Sequence, residues 1–407
     1  MSEKPLRIAY FTDSYLEVDG VANTARQFAA YIRRKQHPFL MVYGGYEQEK
    51  VMRDGAFTQI ELPRSKFGFA LDCQHDFDLA FLRHTSRAME LVADFDPDVL
   101  HITGPSDVGI LGALVAHRSK IPLVGSWHTN LHQYAERRAL PLLRFLPGAW
   151  QAQTGDKIRE LSFRALARFY HIPRVLMAPN QDLVALLETS AGKPCFLMGR
   201  GVDTQLFHPA KRATRSDGLF TVGYVGRITT EKNVGALVEI ERSLHAAGVT
   251  DCLFLVVGQG SGESYLRANM RRCYFTGVLT GEDLARAYAN MDLFVFPSKT
   301  DTFGNVVLEA LSCGVPALVS DEGGPQFIVK DAKTGYVCRD HAAFVDRIVK
   351  LKQEPETLAA MRSAARAHAE GMSWDTIFEA VYRAYEEALL PSSRVRVGLG
   401  TKLPAGA

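Results

Sequence analysis

The sequence predicts an α/β protein of two doubly wound domains, and three observations carry that prediction. The chain has 407 residues, too many for one ordinary core and about right for two. Short apolar runs alternate with helix-length amphipathic segments, which is the pattern of βα units and of parallel sheets covered on both faces. The alternation also runs through twice, restarting after a stretch of glycines and polar residues that begins near position 199.

The first pass opens with "LRIAYFT", a buried strand, and "GVANTARQFAAYIRRKQ", a helix by the spacing of Val21, Ala25, Phe28, Ala29 and Ile32. "FLMVYGG", "VLHIT", "PLVGSWH" and "VLMAP" are further strands, each followed by a helix or loop. "GRGVDTQLFHPAKRATRSDG" has little apolar periodicity and reads as a linker. The second pass contains the strands "LFTVGYVGRI", "CLFLVVGQG", "CYFTG", "LFVFPS" and "PALVS". Between the first two lies the amphipathic helix "NVGALVEIERSLHAAG", closed by a glycine. The last helix, "SWDTIFEAVYRAYEEALL", has Ser373 as its N-cap and an apolar face of Trp374, Ile377, Phe378, Val381 and Tyr385. That face must be buried, and its expected partner is the first domain. The segment 391–407 is small, Gly- and Pro-containing and expected to be a flexible tail.

Apolar residues make up 47% and charged residues 23%, which suits a soluble globular chain. The net charge of +2 gives no whole-chain field for nucleic acid. Six scattered cysteines without a CxxC pair indicate neither a zinc site nor a disulfide framework. Met1 to Pro5 lead into a strand without a signal-peptide profile, and no run of ~20 apolar residues could span a bilayer. The expectation is a reduced, cytoplasmic protein.

In doubly wound sheets ligands gather beyond the carboxyl ends of the strands, so the residues after each strand matter most. "VGYVG" is followed by Arg227, Glu231 and Lys232, and "FLVVG" by Gln259-Gly260-Ser261-Gly262. "LFVFPS" is followed by Lys299 to Asn305, and "PALVS" by Asp321-Glu322-Gly323-Gly324. In "TDTFGNVVLEALSCGVPALVSDEGG" the carboxylates Asp301 and Glu309 flank a helix start at Phe303, Gly304 and Asn305. A helix start offers backbone N–H donors and a positive dipole end to phosphate. Carboxylates suit hydroxyl pairs, and glycines allow close approach of a ligand, although Gly323-Gly324 could equally be a turn. Arg227 and Lys232 would add positive charge, the one as a fork and the other as a point charge. Taken singly, either could be an ordinary surface charge. Together these residues suggest a sugar-diphosphate held at a helix start.

These motifs resemble the family-4 retaining glycosyltransferases of the GT-B fold. "YVGRITTEKN" is similar to that family's donor loop, "DTFGNVVLEALSCGVPALVSDEGG" to its two-carboxylate motif, and "GRGVD" to its domain junction. The resemblance implies two Rossmann-like domains facing each other across a cleft. Residues 1–198 would form an acceptor-binding domain onto which the helix 373–390 packs back, and 199–372 a nucleotide-sugar donor domain. It also implies roles: Gly226, Arg227 and Lys232 at the diphosphate, Glu309 on the ribose hydroxyls, and Asp301 with Phe303, Gly304 and Asn305 at the donor sugar and phosphates. Asp301 stands where the family usually has Glu, one methylene longer, which bears on the choice of sugar.

In the first half, Asp19 to Asn23 resembles the family's N-terminal glycine loop with a single Gly20, and is also a plausible plain helix start. "GSWHTNLHQY" places His128 at the carboxyl end of a strand, where the resemblance sets a sugar-contacting or acceptor-positioning histidine. Asn130 replaces the family's Asp, and His132 is an acceptor-side candidate. Residues 136–174 mix eight Lys and Arg residues with leucines and Trp150, as on a helix lying on anionic lipid or on an ordinary solvated helix face. Catalysis is expected without metal or other cofactor, because the Asp94–Asp96 and Asp96–Asp98 pairs precede a strand rather than follow one. The sequence therefore reads as a retaining hexosyltransferase taking a UDP- or GDP-sugar to a sugar or lipid hydroxyl, cytoplasmic and peripheral to the membrane if the basic segment binds it. The alternatives are a non-catalytic nucleotide-sugar binder and a dehydrogenase. The latter is weakened because "GQGSG" has GxGxG rather than GxGxxG spacing, with no acidic strand end about 20 residues on.

Overall fold

A computed structural model describes residues 5–17, 20–46, 48–65, 69–70, 76–78, 80–128, 161, 164–213 and 218–391. The chain divides into two compact units, Met1–Gly199 with Phe378–Ala407, and Arg200–Ile377.

The first unit is built on an eight-stranded sheet. Its strands are β1 (Ile8–Thr12), β2 (Phe39–Gly45), β3 (Lys50–Asp54), β4 (Phe57–Pro63), β7 (Val99–Ile102), β8 (Leu123–Ser126), β9 (Val175–Ala178) and β10 (Cys195–Leu197). The two-residue strands β5 (Phe69–Ala70) and β6 (Asp76–Phe77) pair apart from it. The order β10-β9-β8-β7-β1-β2-β4-β3 turns back at β1, which is hydrogen-bonded to β7 on one side and β2 on the other. β1, β2, β7, β8 and β9 are buried along their whole length, as strands covered on both faces must be. β3 departs from the all-parallel expectation. It runs antiparallel to β4 through a turn at Gly55 with φ +59°, and its exposed, charged face suits a sheet edge.

Helices of this unit include α1 (Gly20–Lys35), α2 (Thr85–Phe95), α3 (Asp107–Ser119) and α4 (Gln181–Ala191). Ser106 and Asn180 cap α3 and α4 by accepting from Gly109 N at 3.0 Å and Leu183 N at 2.9 Å. Of the two Asp pairs, Asp94 lies in the last turn of α2, Asp96 is its left-handed C-cap and Asp98 accepts from Arg7 N at 2.8 Å.

The second unit holds a six-stranded sheet: β11 (Phe220–Val225), β12 (Cys252–Val257), β13 (Cys273–Gly277), β14 (Leu293–Phe296), β15 (Ala317–Ser320) and β16 (Gly335–Cys338). All pairs are parallel, in the order β13-β12-β11-β14-β15-β16. Its switch point therefore lies between β11 and β14, where loops from neighbouring strands diverge and leave a crevice. The helices are α5 (Gly235–Ala246), α6 (Glu263–Asn269), α7 (Gly281–Ala289), α8 (Asn305–Ser312), α9 (His341–Gln353) and α10 (Pro355–Glu370).

The stretch from residue 199 is not the loose linker that its weak periodicity suggests. Val202 and Phe207 are buried in the second unit's core, Asp203 accepts from Gln205 N and Leu206 N, and Ser312 Oγ donates to the Phe207 carbonyl at 2.7 Å. Irregular backbone held by side chains gives no period to read. The final helix, α11 (Trp374–Leu389), begins at Ser373, whose Oγ accepts from Thr376 N. From Phe378 onward it belongs to the first unit, where Phe378 stacks on Phe28 with ring centroids 4.5 Å apart and Val381, Ala384 and Tyr385 are buried.

Candidate active site

The second unit's site is assembled by two loops at the switch point. After β11 the chain passes Gly226 at φ +149° and makes a single 3-10 turn, Thr230–Lys232, ending at Asn233 in the left-handed region. After β14 it runs through Pro297 to Phe303 into α8. Hydrogen bonds tie the two loops together. Asn233 Nδ2 donates to the Pro297 carbonyl at 3.2 Å, Thr300 Oγ1 to the Glu231 carbonyl at 3.2 Å, and Lys232 Nζ to Asp301 Oδ1 at 2.7 Å. Tyr224, at the end of β11, donates to the Arg227 carbonyl at 2.8 Å.

Both expected cations have carboxylate neighbours. Arg227 Nη2 meets Glu231 Oε1 at 2.7 Å, with the arginine side chain 37% exposed. Lys232 lies between Asp301 at 2.7 Å and Glu231 at 3.9 Å, with Lys232 and Asp301 only 11% and 20% exposed. The loop thus carries a balanced charge cluster that includes Glu231, a residue without an expected role.

Asp301 has one carboxylate oxygen on Lys232 and the other, Oδ2, buried with no hydrogen-bond partner among the described residues. A buried acceptor left without a partner is costly and calls for an explanation. Close by, α8 starts at Gly304, whose φ of +99° only glycine adopts easily, and no side chain caps it. An uncapped helix start leaves its first backbone N–H groups without intrahelical partners, and Phe303, Gly304 and Asn305 are the residues at this one.

Glu309 lies further along α8. It is half-buried, and Tyr288 of α7 donates its hydroxyl to Glu309 Oε2 at 2.8 Å. Burial raises the Glu309 carboxyl to about 7, with the Tyr288 hydrogen bond pulling the other way. Tyr288 is itself fully buried, and nothing in "LARAYANMD" sets it apart from a core tyrosine.

The glycines after β15 have a different task from the ligand approach weighed for them. A Cβ on Gly323 would come within 2.9 Å of the Lys299 carbonyl, and one on Gly324 within 2.1 Å of the Thr302 carbonyl. Gly324 N donates to the Asp301 carbonyl at 2.6 Å. The pair is a turn pressed against the Lys299–Phe303 loop, and it fixes Asp301. "GQGSG" acts in the same way. A Cβ on Gly258 would meet the Gly226 carbonyl at 2.0 Å and one on Gly260 the Ile228 carbonyl at 2.3 Å. These glycines pack on the chain's own backbone, which removes the feature behind the dehydrogenase alternative.

In the first unit, Gly20 opens α1 and its carbonyl accepts from Thr24 Oγ1 at 2.7 Å, while Asp19 lies outside the described residues. His128 follows β8 and is buried, with Nε2 2.8 Å from Ser126 Oγ. Asn130, His132 and most of the basic segment, including Arg137, Arg138, Arg144 and Trp150, also lie outside the described residues. Among the described residues no group of three or more His, Cys, Asp or Glu side chains is placed to hold a metal, and no helix is long and apolar enough to cross a membrane.

Loops with two carboxylates and an uncapped helix start at the switch point of a parallel sheet lie where open α/β folds hold their ligands. Comparison with known proteins narrows the class. Residues 18–206 match the family model described as Glycosyltransferase Family 4, and residues 209–368 that described as Glycosyl transferases group 1. The chain belongs to the family-4 glycosyltransferases and is a nucleotide-sugar-dependent enzyme of the GT-B fold.

Among curated relatives, it is 28% identical over 398 residues to a GDP-mannose-dependent alpha-mannosyltransferase of Mycobacterium tuberculosis (strain CDC 1551 / Oshkosh), covering 94% of this chain and 96% of the relative. It is also 28% identical to the sulfoquinovosyl transferase SQD2 of Arabidopsis thaliana, over 91% of this chain and 71% of that one. Among solved structures, HepE of Anabaena in complex with UDP-glucose superposes with a TM-score of 0.65 at 16% identity, covering 94% of this chain and all of that one. Sucrose-phosphate synthase of Thermosynechococcus elongatus gives a TM-score of 0.67 at 18% identity, over 94% and 98%. At these identities the structures speak for the fold.

Proposed function

We propose that the protein is a retaining, metal-independent hexosyltransferase that moves mannose from GDP-mannose to a hydroxyl of a lipid-linked acceptor. The reading rests on one observation above the others: Asp301 presents a buried oxygen without a partner among the described residues, beside an uncapped helix start. A sugar hydroxyl would satisfy that oxygen, and the donor diphosphate would lie at the α8 N-terminus. Mannose and GDP are favoured because three relatives matched over nearly their full length carry the description GDP-mannose-dependent alpha-mannosyltransferase.

Each residue then has a task in the reaction. Glu309, ionised, accepts hydrogen bonds from the ribose hydroxyls, and Tyr288 fixes its carboxylate. As the bond from the anomeric carbon to the donor phosphate breaks, negative charge builds on the departing diphosphate. Lys232, Arg227 and the backbone amides at Phe303, Gly304 and Asn305 stabilise that charge, the part a metal plays elsewhere. Asp301 holds the sugar. In the first unit, His128 is the candidate for placing the acceptor hydroxyl.

A cytoplasmic enzyme peripheral to the membrane would suit a lipid acceptor, and the basic residues of 136–174 are the candidates for the lipid contact. The test is transfer from GDP-mannose and from UDP-glucose, each in excess EDTA, to a lipid extract, with the anomeric configuration of the product read by NMR. An α-mannosyl lipid made in chelator supports the reading. Transfer from the UDP-sugar alone, a β-linked product or an absolute requirement for metal contradicts the corresponding part of it.

A further inference from the structure

A chain of buried polar groups runs behind His128. Tyr385 Oη is 2.8 Å from His101 Nδ1, His101 Nε2 is 2.9 Å from Ser126 Oγ, and Ser126 Oγ is 2.8 Å from His128 Nε2. Tyr385 and His101 are 0% exposed and Ser126 1%. The three come from α11, β7 and β8, all within the first unit. Such a chain of polar groups in the middle of a core has to be satisfied throughout, or it costs more than apolar residues would.

The hydrogens along it can be ordered from one end. Among the described residues the Tyr385 hydroxyl has His101 Nδ1 as its hydrogen-bond partner, so its hydrogen goes there, since a buried O–H without an acceptor is costly. Full burial lowers the His101 pKa to about 3, so the ring is neutral and carries one hydrogen. With Nδ1 accepting, that hydrogen is on Nε2 and is donated to Ser126 Oγ. The Ser126 hydroxyl then has two acceptors for its own hydrogen, His128 Nε2 at 2.8 Å and the Ile102 carbonyl at 3.5 Å. The short one takes it.

We infer that Tyr385, His101 and Ser126 are positioning residues that hold His128 in the tautomer with Nε2 as acceptor and its hydrogen on Nδ1. The ring therefore presents an N–H, not a lone pair, on the edge turned from the relay. In this tautomer Nδ1 is a hydrogen-bond donor to oxygen and not a base for proton abstraction. The helix that supplies Tyr385, α11, follows the whole second unit in sequence, so the state of His128 depends on a helix distant from it in the chain. The inference rests on the role proposed for His128 only in its consequence for catalysis; the hydrogen order stands on the relay alone.

The experiment is a long-range 1H–15N spectrum of the full-length protein labelled with 15N-histidine, with His128 assigned by its loss in His128→Gln. The expected pattern has His128 protonated on Nδ1 and bare on Nε2 in the wild type. In Ser126→Ala, with the donor gone, the Nε2–H form should appear. Tyr385→Phe, which keeps the shape of the core, should change the His101 signals first. Both variants should lower kcat by about 10–100-fold, as supporting groups around a site commonly do, with donor KM within about twofold. An Nε2–H signal for His128 in the wild type overturns the inference, as does an unchanged His128 pattern in a folded Ser126→Ala. If the spectra behave as expected but His128→Ala transfers sugar normally, the relay stands and the role proposed for His128 falls.

Discussion

Lys232 and Asp301 form a 2.7 Å ion pair that ties together the two loops of the proposed donor site, and their unequal surroundings give an unequal prediction. Removing the lysine charge with Lys232→Met leaves Asp301 with Oδ1 newly unpaired beside an Oδ2 that already lacks a partner. Removing the carboxylate charge with Asp301→Asn leaves Lys232 a second carboxylate, Glu231, at 3.9 Å. Breaking a fully buried pair from one side costs about 3–5 kcal/mol, and an exposed one under about 1. With exposures of 11% and 20%, this pair lies nearer the buried limit. Lys232→Met should therefore destabilise the second unit by about 2–3 kcal/mol and Asp301→Asn by about 1 kcal/mol or less. The assay is urea unfolding followed by a probe of the second unit, with the double variant completing a cycle that isolates the coupling. Equal costs, or a larger cost for Asp301→Asn, would refute the reasoning, since the arrangement of Glu231 and the unpartnered oxygen would then not govern the energy. Both variants should also lose transfer activity, by roughly 10²–10³-fold for the lost stabilising charge of Lys232.

Other expectations follow from the same structure. Because Glu309 has a pKa of about 7 and must be ionised to accept ribose hydroxyls, GDP-mannose affinity should fall by up to about tenfold per pH unit below 7 and level off above it. Calorimetry between pH 5.5 and 8.5 checks this, and the slope should vanish in Glu309→Gln. Phe378 is fully buried and stacked on Phe28, so Phe378→Ala should cost about 3–5 kcal/mol, measured by unfolding of the first unit. Gly324→Ala would drive a methyl into the Thr302 carbonyl and displace the Asp301 loop, so donor KM and kcat should both suffer while the sheet, seen by far-UV circular dichroism, persists.

Much of this architecture was legible because strand burial and helix amphipathy leave periodic marks. The buried runs from Ile8 to Thr12 and from Leu293 to Phe296 stand out as strands in sequence, and the loops after them contain the residues that the structure gathers at the switch point. What escaped reading carried no period or looked ordinary. Val202 and Phe207 are anchored through capping turns and single hydrogen bonds, so their segment resembled a linker. Gly258, Gly260, Gly323 and Gly324 look like ligand glycines until the backbone they press against is known. Tyr288, His101 and Tyr385 sit at core positions of a helix, a strand and a helix, and a buried polar partner leaves no trace in a hydropathy pattern. Their roles depend on contacts between residues 21 to 284 positions apart, which only the fold supplies.

The most direct test of the central claim is thermal stabilisation of the full chain by GDP, UDP and ADP in excess EDTA, comparing wild type with Lys232→Met and Glu309→Gln. A ligand that binds only the folded protein at 100 times its Kd adds about 2.7 kcal/mol, a readily measured shift. The account predicts a clear rise with GDP, a weaker one or none with the other two, and its loss in both variants. Stabilisation that survives both substitutions, or no stabilisation by any of the three nucleotides, would contradict the assignment of the donor site to the α8 N-terminus.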